Sequence, residues 1–443
     1  MFSFFFRFRK WLGLFGILSS FLFQTQFAQA HQIESGTYTL VIEGFDWGPA
    51  VNKVILSFSE FQTEAVSQDF SVNVKRKSPC GELDPKFGEG KRKILRAYVC
   101  DSRGIKSEKD KFVALEMEVG PDLELDRPIH HEENDKCQGN VWIDYQLLIR
   151  DVKTMRLWDS ESDRIMPLID DFDLSGSYRY DDELTLSYAY FEPEGINKEV
   201  PLIIWLHGGG EGGFDPSIPL VANRAANYAS PEIQKYFGKA FILVPQCPGA
   251  WMDNEQGKAT WGRENDVYNQ GLMEFIKHYV SENPKIDKSR IYIGGCSNGG
   301  YMSLKLMLLH PNYFAAGYIS ALAYHSEFLS DHDINRLSKM PIWFIHSKDD
   351  QVTYADETAI PVFKRLKDSG AANVHLSLFD HVVDVSGIYG GDSYYYDGHW
   401  SWIYSHVNKS RLDFDGTPVM IKNQEVTIIE WLAFQRNNFD RTD

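Results

Sequence analysis

The sequence predicts a chain of two folded parts, an all-β part followed by an α/β part with a mostly parallel sheet. Between residues 31 and about 150, short alternating runs of apolar and polar residues are separated by turn-rich stretches, without convincing helical patterns. From residue 176 to the end, apolar runs alternate with helical patterns, which is typical of a doubly wound sheet. With 443 residues the chain is too long for one ordinary core, and 43% hydrophobic residues are enough for two.

The first part reads as a β-sandwich of six or so short strands. The predicted strands are Thr37–Glu43, Lys53–Phe58, Phe70–Val74, Ile94–Val99, Phe112–Val119 and Asn140–Leu148.

One segment of this first part, His130-His131-Glu132-Glu133, suggests a metal site. No second cluster of ligand-type residues accompanies it in the sequence, so a solvated charged loop is the favoured interpretation. We therefore expect no metal and no cofactor. The acidic stretch that follows, residues 151–175, predicts a linker.

The second part, residues 176–443, contains seven predicted strands. Ligands of such sheets bind beyond the carboxyl ends of the strands, and the motifs described below all follow a predicted strand. A helical pattern at Asn265–Ser281 lies between two of them. The strands are Leu184–Phe191, Leu202–Leu206, Ala240–Pro245, Arg290–Ile293, Ala315–Ser320, Pro341–Ile345 and His375–Phe379.

The most informative motif is G-x-S-x-G, which the chain carries as Gly295-Cys296-Ser297-Asn298-Gly299. It follows the predicted strand Arg290–Ile293 and precedes a run of helix formers that stops before Pro311. A serine in a sharp strand-to-helix turn keeps its hydroxyl exposed, and the flanking glycines let the chain pass close to itself. The context predicts Ser297 as a nucleophile, with the Asn298 N–H as one donor of an oxyanion hole.

A glycine-rich loop after an earlier strand predicts the second donor. His207 is followed by Gly208, Gly209 and Gly210 and opens an HGGG-type loop in which backbone N–H groups can approach a substrate oxygen. We expect Gly208 and Gly209 to supply that donor. The alternative is a flexible turn or an anion cradle, but the loop lacks the Lys-Ser/Thr of a phosphate loop.

An acid and then a histidine are expected after the serine, because an imidazole must take the hydroxyl proton and a carboxylate must orient the ring. Asp349 and Asp350 follow a predicted strand and are the two candidates for the acid. His399 lies in a long aromatic loop that can bring its ring over Ser297. His381 is the competitor, but it lies at a strand end with little chain to reach back.

The resemblance carried by these residues is to bacterial α/β-hydrolase esterases related to the prolyl-oligopeptidase and phospholipase/carboxylesterase groups. It rests on Trp205–Gly213, the serine motif and Gly398–Trp402. The family's H-G-x-x-D pattern favours Asp350, four residues after His346, although a serine replaces the glycine; Asp349 stays the alternative.

The N-terminal part strengthens this resemblance. Its segment Gly44–Leu56 is similar to the opening of the immunoglobulin-like domain that precedes such esterase domains. The resemblance implies carboxylic-ester hydrolysis by Ser297, Asp350 and His399. It also implies an immunoglobulin-like packing or assembly module at residues 31–150, which leaves homo-oligomerisation open.

Two other functional classes are weighed against an esterase that acts on a small-molecule or polymer-borne ester. A serine peptidase uses the same triad, but the prolyl-oligopeptidase group carries a large propeller for which the N-terminal region is too short. A non-enzymatic binding module is disfavoured because all triad residue types are present in order.

Aromatic residues near the motifs are candidates to wall the substrate pocket, with core packing as the alternative for each. An aromatic wall suits an aryl, acyl or sugar-bearing ester. The candidates are Trp251, Trp261, Tyr301 and Trp400, together with Tyr394, Tyr395, Tyr396 and Trp402.

Residues 1–30 read as a secretory signal peptide, with a basic head, an apolar stretch from Trp11 to Phe23 and an A-x-A cleavage site at Ala28-Gln29-Ala30. An uncleaved anchor is the lesser option, because the apolar run is short for a bilayer span. We expect a secreted or periplasmic protein without a membrane association once the leader is removed.

The mature chain is acidic. Removal of a leader with three basic and no acidic residues takes the formal net charge from −17 to −20, so nucleic acid is not an expected partner. Five cysteines would enter an oxidising compartment. One bridge among Cys80, Cys100 and Cys137 is expected, the pairing being open, and a bridge between Cys247 and Cys296 is a further option.

Overall fold

The computed structural model describes residues 35–437, so the predicted leader lies outside the described residues. In this part of the chain, no helix is long and apolar enough to cross a membrane. Two large sheets follow one another along the sequence, the first all-β and the second mostly parallel and flanked by helices. The predicted fold class is confirmed.

The N-terminal part has more strands than the six predicted. Eight of them are linked in one sheet of order β4-β3-β9-β10-β1-β2-β6-β5, while β7 and β8 form a hairpin sheet of their own. The predicted run Asn140–Leu148 is split between β8 and β9. The strands are β1 Ser35–Phe45, β2 Gly48–Gln62, β3 Phe70–Lys77, β4 Glu89–Arg92, β5 Ile94–Cys100, β6 Asp110–Met117, β7 Ile129–Glu133, β8 Gln138–Trp142, β9 Asp144–Asp151 and β10 Leu157–Ile165.

The two halves of this sheet share one hydrophobic core. Leu40 of β1, Val54 of β2 and Leu115 of β6 are buried in the same cluster as Val72 of β3 and Ile149 of β9. Along β3 and β9, buried residues alternate with exposed ones, as expected for strands with one face on a core. This packing gives the sandwich that the alternating runs predicted.

The predicted linker, residues 151–175, is wrong as a description of this segment. Strand β10 lies within it and pairs in parallel with β1 and antiparallel with β9, so the first sheet extends to Ile165. The first strand of the second sheet also begins inside it, at Asp173. Most side chains of β10 are exposed, and its charged residues therefore look like a loop in the sequence.

The second sheet has the order β11-β12-β14-β13-β15-β16-β17-β18, with antiparallel pairing at β11–β12 and β12–β14 and parallel pairing elsewhere. All seven predicted strands are present within a few residues, and β11 was not predicted. The strands are β11 Asp173–Arg179, β12 Thr185–Phe191, β13 Val200–Leu206, β14 Phe241–Gln246, β15 Ile286–Cys296, β16 Ala316–Ser320, β17 Ile342–Ser347 and β18 Val374–Phe379.

The helices cover both faces of the second sheet, apart from the short α1 of the N-terminal part, and two-residue strands β19 Met420–Ile421 and β20 Gln424–Glu425 form a small ribbon near the end. The helices are α1 Pro85–Gly88, α2 Ser217–Ala222, α3 Pro231–Phe237, α4 Asn269–Glu282, α5 Asn298–Leu309, α6 Asp331–Leu337, α7 Ala359–Asp368, α8 Trp402–His406 and α9 Ile428–Phe434.

A disulfide joins Cys80 to Cys137, which settles the open pairing in the N-terminal part. Cys100, Cys247 and Cys296 are free and buried. The option of a Cys247–Cys296 bridge is therefore wrong.

Candidate active site

Ser297 occupies a strained turn between β15 and α5. Its backbone has φ 55° and ψ −119°, a conformation that a residue with a Cβ adopts only when its surroundings enforce it. Gly299 explains how the turn closes, because a Cβ at that position would collide with the Leu206 carbonyl of the neighbouring strand. The predicted strand-to-helix elbow is present, with Ser297 directly before the first residue of α5.

Asp350 and His399 form a hydrogen-bonded pair. His399 Nδ1 lies 2.9 Å from Asp350 Oδ2 and 3.1 Å from Oδ1. The carboxylate is buried and accepts further hydrogen bonds from the N–H groups of Val352 and Thr353 at 2.8 and 2.9 Å, and from the Thr353 hydroxyl at 2.7 Å. Asp350 is thereby fixed in a position from which it can orient the imidazole.

The pKa of Asp350 lies well below its usual range. Burial alone would raise this pKa, but the hydrogen bonds and charges of His346 and His399 outweigh burial. A carboxylate that stays ionised is suited to stabilise an imidazolium beside it.

The two residues that competed for these roles pair with each other instead. His381 Nδ1 lies 2.7 Å from Asp349 Oδ2, and both side chains are partly exposed. Asp349 also accepts a hydrogen bond from the Ser347 hydroxyl. Because Asp350 is hydrogen-bonded to His399, the geometry favours these two residues as the acid and the base, as the sequence analysis did.

A buried histidine that the sequence left without a role completes this cluster. His346 Nε2 lies 3.2 Å from Asp350 Oδ2 and 2.7 Å from the Thr353 carbonyl oxygen, on the side away from solvent. Its side chain has no exposed surface. His346 therefore supports the carboxylate from behind, and its position in the H-x-x-x-D segment was the available signal.

One of the oxyanion donors predicted in the glycine-rich loop, the Gly208 N–H, already makes a hydrogen bond within the protein. The Gly208 N–H donates to Glu211 Oε2 at 2.7 Å, so the prediction that Gly208 donates to an oxyanion is wrong. In the part of the chain that the structure describes, no acceptor binds the N–H of Gly209 or that of Asn298. These two groups remain as candidate oxyanion donors.

Glu211 organises this loop from within the core. It is 2% exposed and also accepts a hydrogen bond from Asn223 Nδ2 at 2.6 Å. Burial raises the pKa of Glu211 to about 8 despite the hydrogen bonds from Gly208 and Asn223, which lower it. Its place within the Gly-rich motif was visible in the sequence, but its burial was not.

Ser297 and His399 line one cavity of about 700 Å³, together with Gly209, Trp400 and Trp402. Among the described residues, no hydrogen bond joins the Ser297 hydroxyl to the His399 ring. Such bonds are often long without substrate and shorten in the complex. The cavity thus places the serine, the oriented imidazole and a free loop N–H around one space.

The cavity lies between the two parts of the chain. From the N-terminal part, Trp47, Arg127 and the β7–β8 hairpin line it. Beside it, Arg224 pairs with Asp46 at 2.7 Å, and Trp142 Nε1 donates to Ser217 Oγ at 2.9 Å. The N-terminal part therefore forms one wall of the site.

The predicted substrate-binding aromatics divide between core and cavity. Trp400 lines the cavity, as does Trp402, but Trp251 and Tyr301 have no exposed surface and belong to the core, so those two predictions are wrong. Tyr301 donates to Asp266 at 3.0 Å, which keeps its hydroxyl satisfied inside the protein. Trp261 packs against His325 and is not part of the cavity wall.

The segment His130-His131-Glu132-Glu133 is strand β7 rather than a solvated charged loop. His130, His131 and Glu133 line the cavity. Within residues 35–437, no group of three or more His, Cys, Asp or Glu side chains is arranged to hold a metal ion.

Known families match two regions of the chain. Residues 37–162 match the esterase Ig-like N-terminal domain, and residues 249–333, which include Ser297, match the prolyl oligopeptidase family. No curated protein sequence matches significantly.

Solved structures of similar fold include a thermostable esterase, with 24% sequence identity and a TM-score of 0.70, over 90% of this chain and 99% of that one. An acylaminoacyl peptidase of Pyrococcus horikoshii has 19% identity and a TM-score of 0.35, over 53% of this chain and 40% of that one. The first of these covers both sheets and therefore matches the two-part architecture.

Proposed function

We propose that this chain, an esterase-type hydrolase with an immunoglobulin-like N-terminal domain and an α/β-hydrolase domain related to the prolyl oligopeptidase family, cleaves carboxylic esters through Ser297, His399 and Asp350. The observation that carries the proposal is the Asp350–His399 pair, which opens into the same cavity as the strained Ser297. Metal or cofactor chemistry is not needed for this reaction.

The reaction proceeds in two halves. His399 takes the proton of the Ser297 hydroxyl as its oxygen attacks the ester carbonyl carbon, and Asp350 holds the ring at Nδ1. The negative oxygen of the tetrahedral intermediate accepts hydrogen bonds from the Gly209 and Asn298 N–H groups, one such donor lowering the barrier by about 3–4 kcal/mol. The alcohol leaves with the proton from His399, and water then hydrolyses the acyl-enzyme by the same route.

The backbone around Ser297 supports this assignment. The start of α5 places a positive dipole end and a free N–H beside the attacking oxygen, where negative charge develops. Glu211 and His207 hold the opposite loop: His207 Nδ1 donates to the Gly208 carbonyl at 2.7 Å, and the Cys247 N–H donates to its Nε2 at 3.2 Å. A rigid loop keeps the donors in place before substrate arrives.

A serine peptidase is the second candidate, favoured by the prolyl oligopeptidase match around Ser297. The two functions differ in the bond cleaved, so the test compares p-nitrophenyl acetate and butyrate with peptide p-nitroanilides. The proposal predicts turnover of the esters with a burst of p-nitrophenol equal to the enzyme concentration when deacylation is slow. Intact esters with cleaved anilides would contradict it.

We also propose that the mature protein acts outside the cytoplasm, after removal of residues 1–30. The Cys80–Cys137 disulfide supports an oxidising compartment. N-terminal sequencing of the protein from culture medium and periplasm tests this: a start at His31 is expected, and a cytoplasmic protein that still begins at Met1 would contradict it.

A further inference from the structure

The β7–β8 hairpin is one of the segments of the N-terminal domain that line the site. His130, His131, Glu133 and Asn140 of this hairpin line the same cavity as Ser297. The hairpin is not hydrogen-bonded into the large N-terminal sheet. A two-stranded hairpin is marginally stable by itself, so something else must hold it there.

Two sets of contacts hold the hairpin against the catalytic domain and against its own domain. At its turn, the disulfide ties Cys137 to Cys80 in the loop after β3, and Glu132 accepts a hydrogen bond from Ser78 in that loop. At its base, Trp142 Nε1 donates to Ser217 Oγ of α2. The hairpin is thus clamped at both ends.

The hairpin touches the glycine-rich loop without any space to spare. A Cβ on Gly210 would lie 2.9 Å from His131 Cε1, and a Cβ on Gly139 would lie 2.5 Å from the Gly210 carbonyl oxygen. Gly139 has φ +94°, which suits glycine and lets the hairpin backbone approach so closely. Gly210 directly follows Gly209, the candidate oxyanion donor. The hairpin therefore packs against the residue beside this donor.

Four of the five hairpin residues that line the cavity are polar, and the fifth is Ile129 at the start of β7. His131 Nδ1 lies 3.1 Å from Asn140 Oδ1, and its Nε2 lies 3.4 Å from Glu133 Oε1. These three side chains provide imidazole, amide and carboxylate groups, which bind hydroxyl groups by donating and accepting hydrogen bonds. Trp400 of the catalytic domain also lines the cavity and offers an apolar ring.

We propose that the β7–β8 hairpin is the specificity-determining wall of the active site and recognises esters whose alcohol part carries several hydroxyl groups, as sugar esters do. This inference rests on the proposed ester hydrolysis. His131 is the central residue, since it both lines the cavity and abuts the loop at Gly210. The disulfide keeps the wall in place, so its loss loosens recognition.

The test uses two acetates of similar size, 6-O-acetylglucose and cyclohexylmethyl acetate, which share the acyl group and differ in hydroxyl groups. The full-length mature enzyme is expected to prefer the sugar acetate by tenfold or more in kcat/KM, because a site built for hydroxyls discriminates strongly against analogues that lack them. His131→Ala and the double variant Cys80→Ser/Cys137→Ser are expected to reduce that preference at least threefold, mainly through KM. Lys153→Ala is the control, because Lys153 is exposed and pairs with Asp69 on the surface of the same domain.

The outcomes separate this inference from the proposed function. The inference would be overturned if His131→Ala lowered kcat/KM equally for both acetates, or if the wild type showed no preference between them. His131→Gln keeps a hydrogen-bonding side chain and is expected to retain the preference if His131→Ala fails to fold. Dithiothreitol should weaken the wild-type preference and leave the Cys80→Ser/Cys137→Ser variant unchanged. If neither acetate nor p-nitrophenyl acetate is cleaved, the proposed function itself fails.

Discussion

Two neighbouring aspartates, Asp349 and Asp350, each bind an imidazole, and their surroundings give the two pairs different capacities. The Asp350 side chain is fully buried, receives backbone N–H groups and has a depressed pKa, while Asp349 and His381 are partly exposed to water. Solvent screens the second pair, whereas the first keeps its charge and geometry. Residue type and spacing alone do not separate these pairs; burial and access to the cavity do.

The largest expected difference between the pairs is at the histidines. His399→Ala removes the group that takes the serine proton, and kcat should fall by about 10⁴-fold or more. His381→Ala should change kcat by less than threefold, because His381 is not among the cavity-lining residues. Turnover of p-nitrophenyl acetate by both variants measures this difference. Similar losses of kcat in the two variants would show that His399 is not the only histidine needed for catalysis.

The aspartates should show the same order with a smaller effect. Asp350→Asn leaves an amide that holds the wrong imidazole tautomer, so kcat is expected to drop by about 10³- to 10⁴-fold. Asp349→Asn is the isosteric control and should stay within about threefold of wild type. If kcat fell further in Asp349→Asn than in Asp350→Asn, Asp349 would be the residue that orients the catalytic histidine.

His346 acts on the buried pair without touching the cavity, as a positioning residue. His346→Leu removes a donor from Asp350 and should lower kcat about tenfold with little change in KM, since hydrogen bonds to charged groups contribute about 1.5–3 kcal/mol. His346→Gln, which can still donate, should recover part of kcat. If both variants lowered thermal stability and left kcat unchanged, His346 would have only a structural role.

The pH dependence of stability sharpens the contrast between the carboxyl groups of the site. The unfolded chain ionises Glu211 above about pH 4.5, while the folded protein keeps the proton until about pH 8, so stability falls as pH rises through this window. Asp350 has the opposite sign, because its folded pKa is depressed: its contribution is present above about pH 3.8 and is lost as pH falls further.

Glu211→Gln removes the first slope while keeping an acceptor for Gly208. Relative to wild type, the variant should gain a few kcal/mol in the free energy of unfolding between pH 5 and pH 8. Urea unfolding at pH 5, 6.5 and 8 measures the difference. Parallel profiles for the two proteins would show that the buried carboxyl does not titrate as described.

The parts of the site that depend on local patterns could be predicted from the sequence. The Ser297 turn and the strands before each motif follow from alternation, glycines and helix formers, which are local properties. Gly208 was assigned wrongly because its N–H is taken by Glu211, a contact across a tight turn that no pattern shows. Trp251 and Tyr301 were assigned wrongly because aromatic residues near a motif serve the core as readily as the cavity.

The remaining omissions are tertiary. Strand β10 carries mostly exposed polar side chains, so pairing rather than composition defines it. The sequence predicts a solvated loop around His131, and its position over Gly210 results from the packing of one domain against the other. Such interdomain contacts leave no periodic signal.

Active-site labelling identifies the residue that attacks the substrate. The mature protein is treated with a fluorophosphonate probe, which reacts with an activated serine, and the adduct is located by peptide mass mapping. One adduct per chain on Ser297, absent in His399→Ala and retained in His381→Ala, is the predicted result. Labelling at another residue, or no labelling of a protein that still hydrolyses p-nitrophenyl acetate, would show that Ser297 is not the nucleophile.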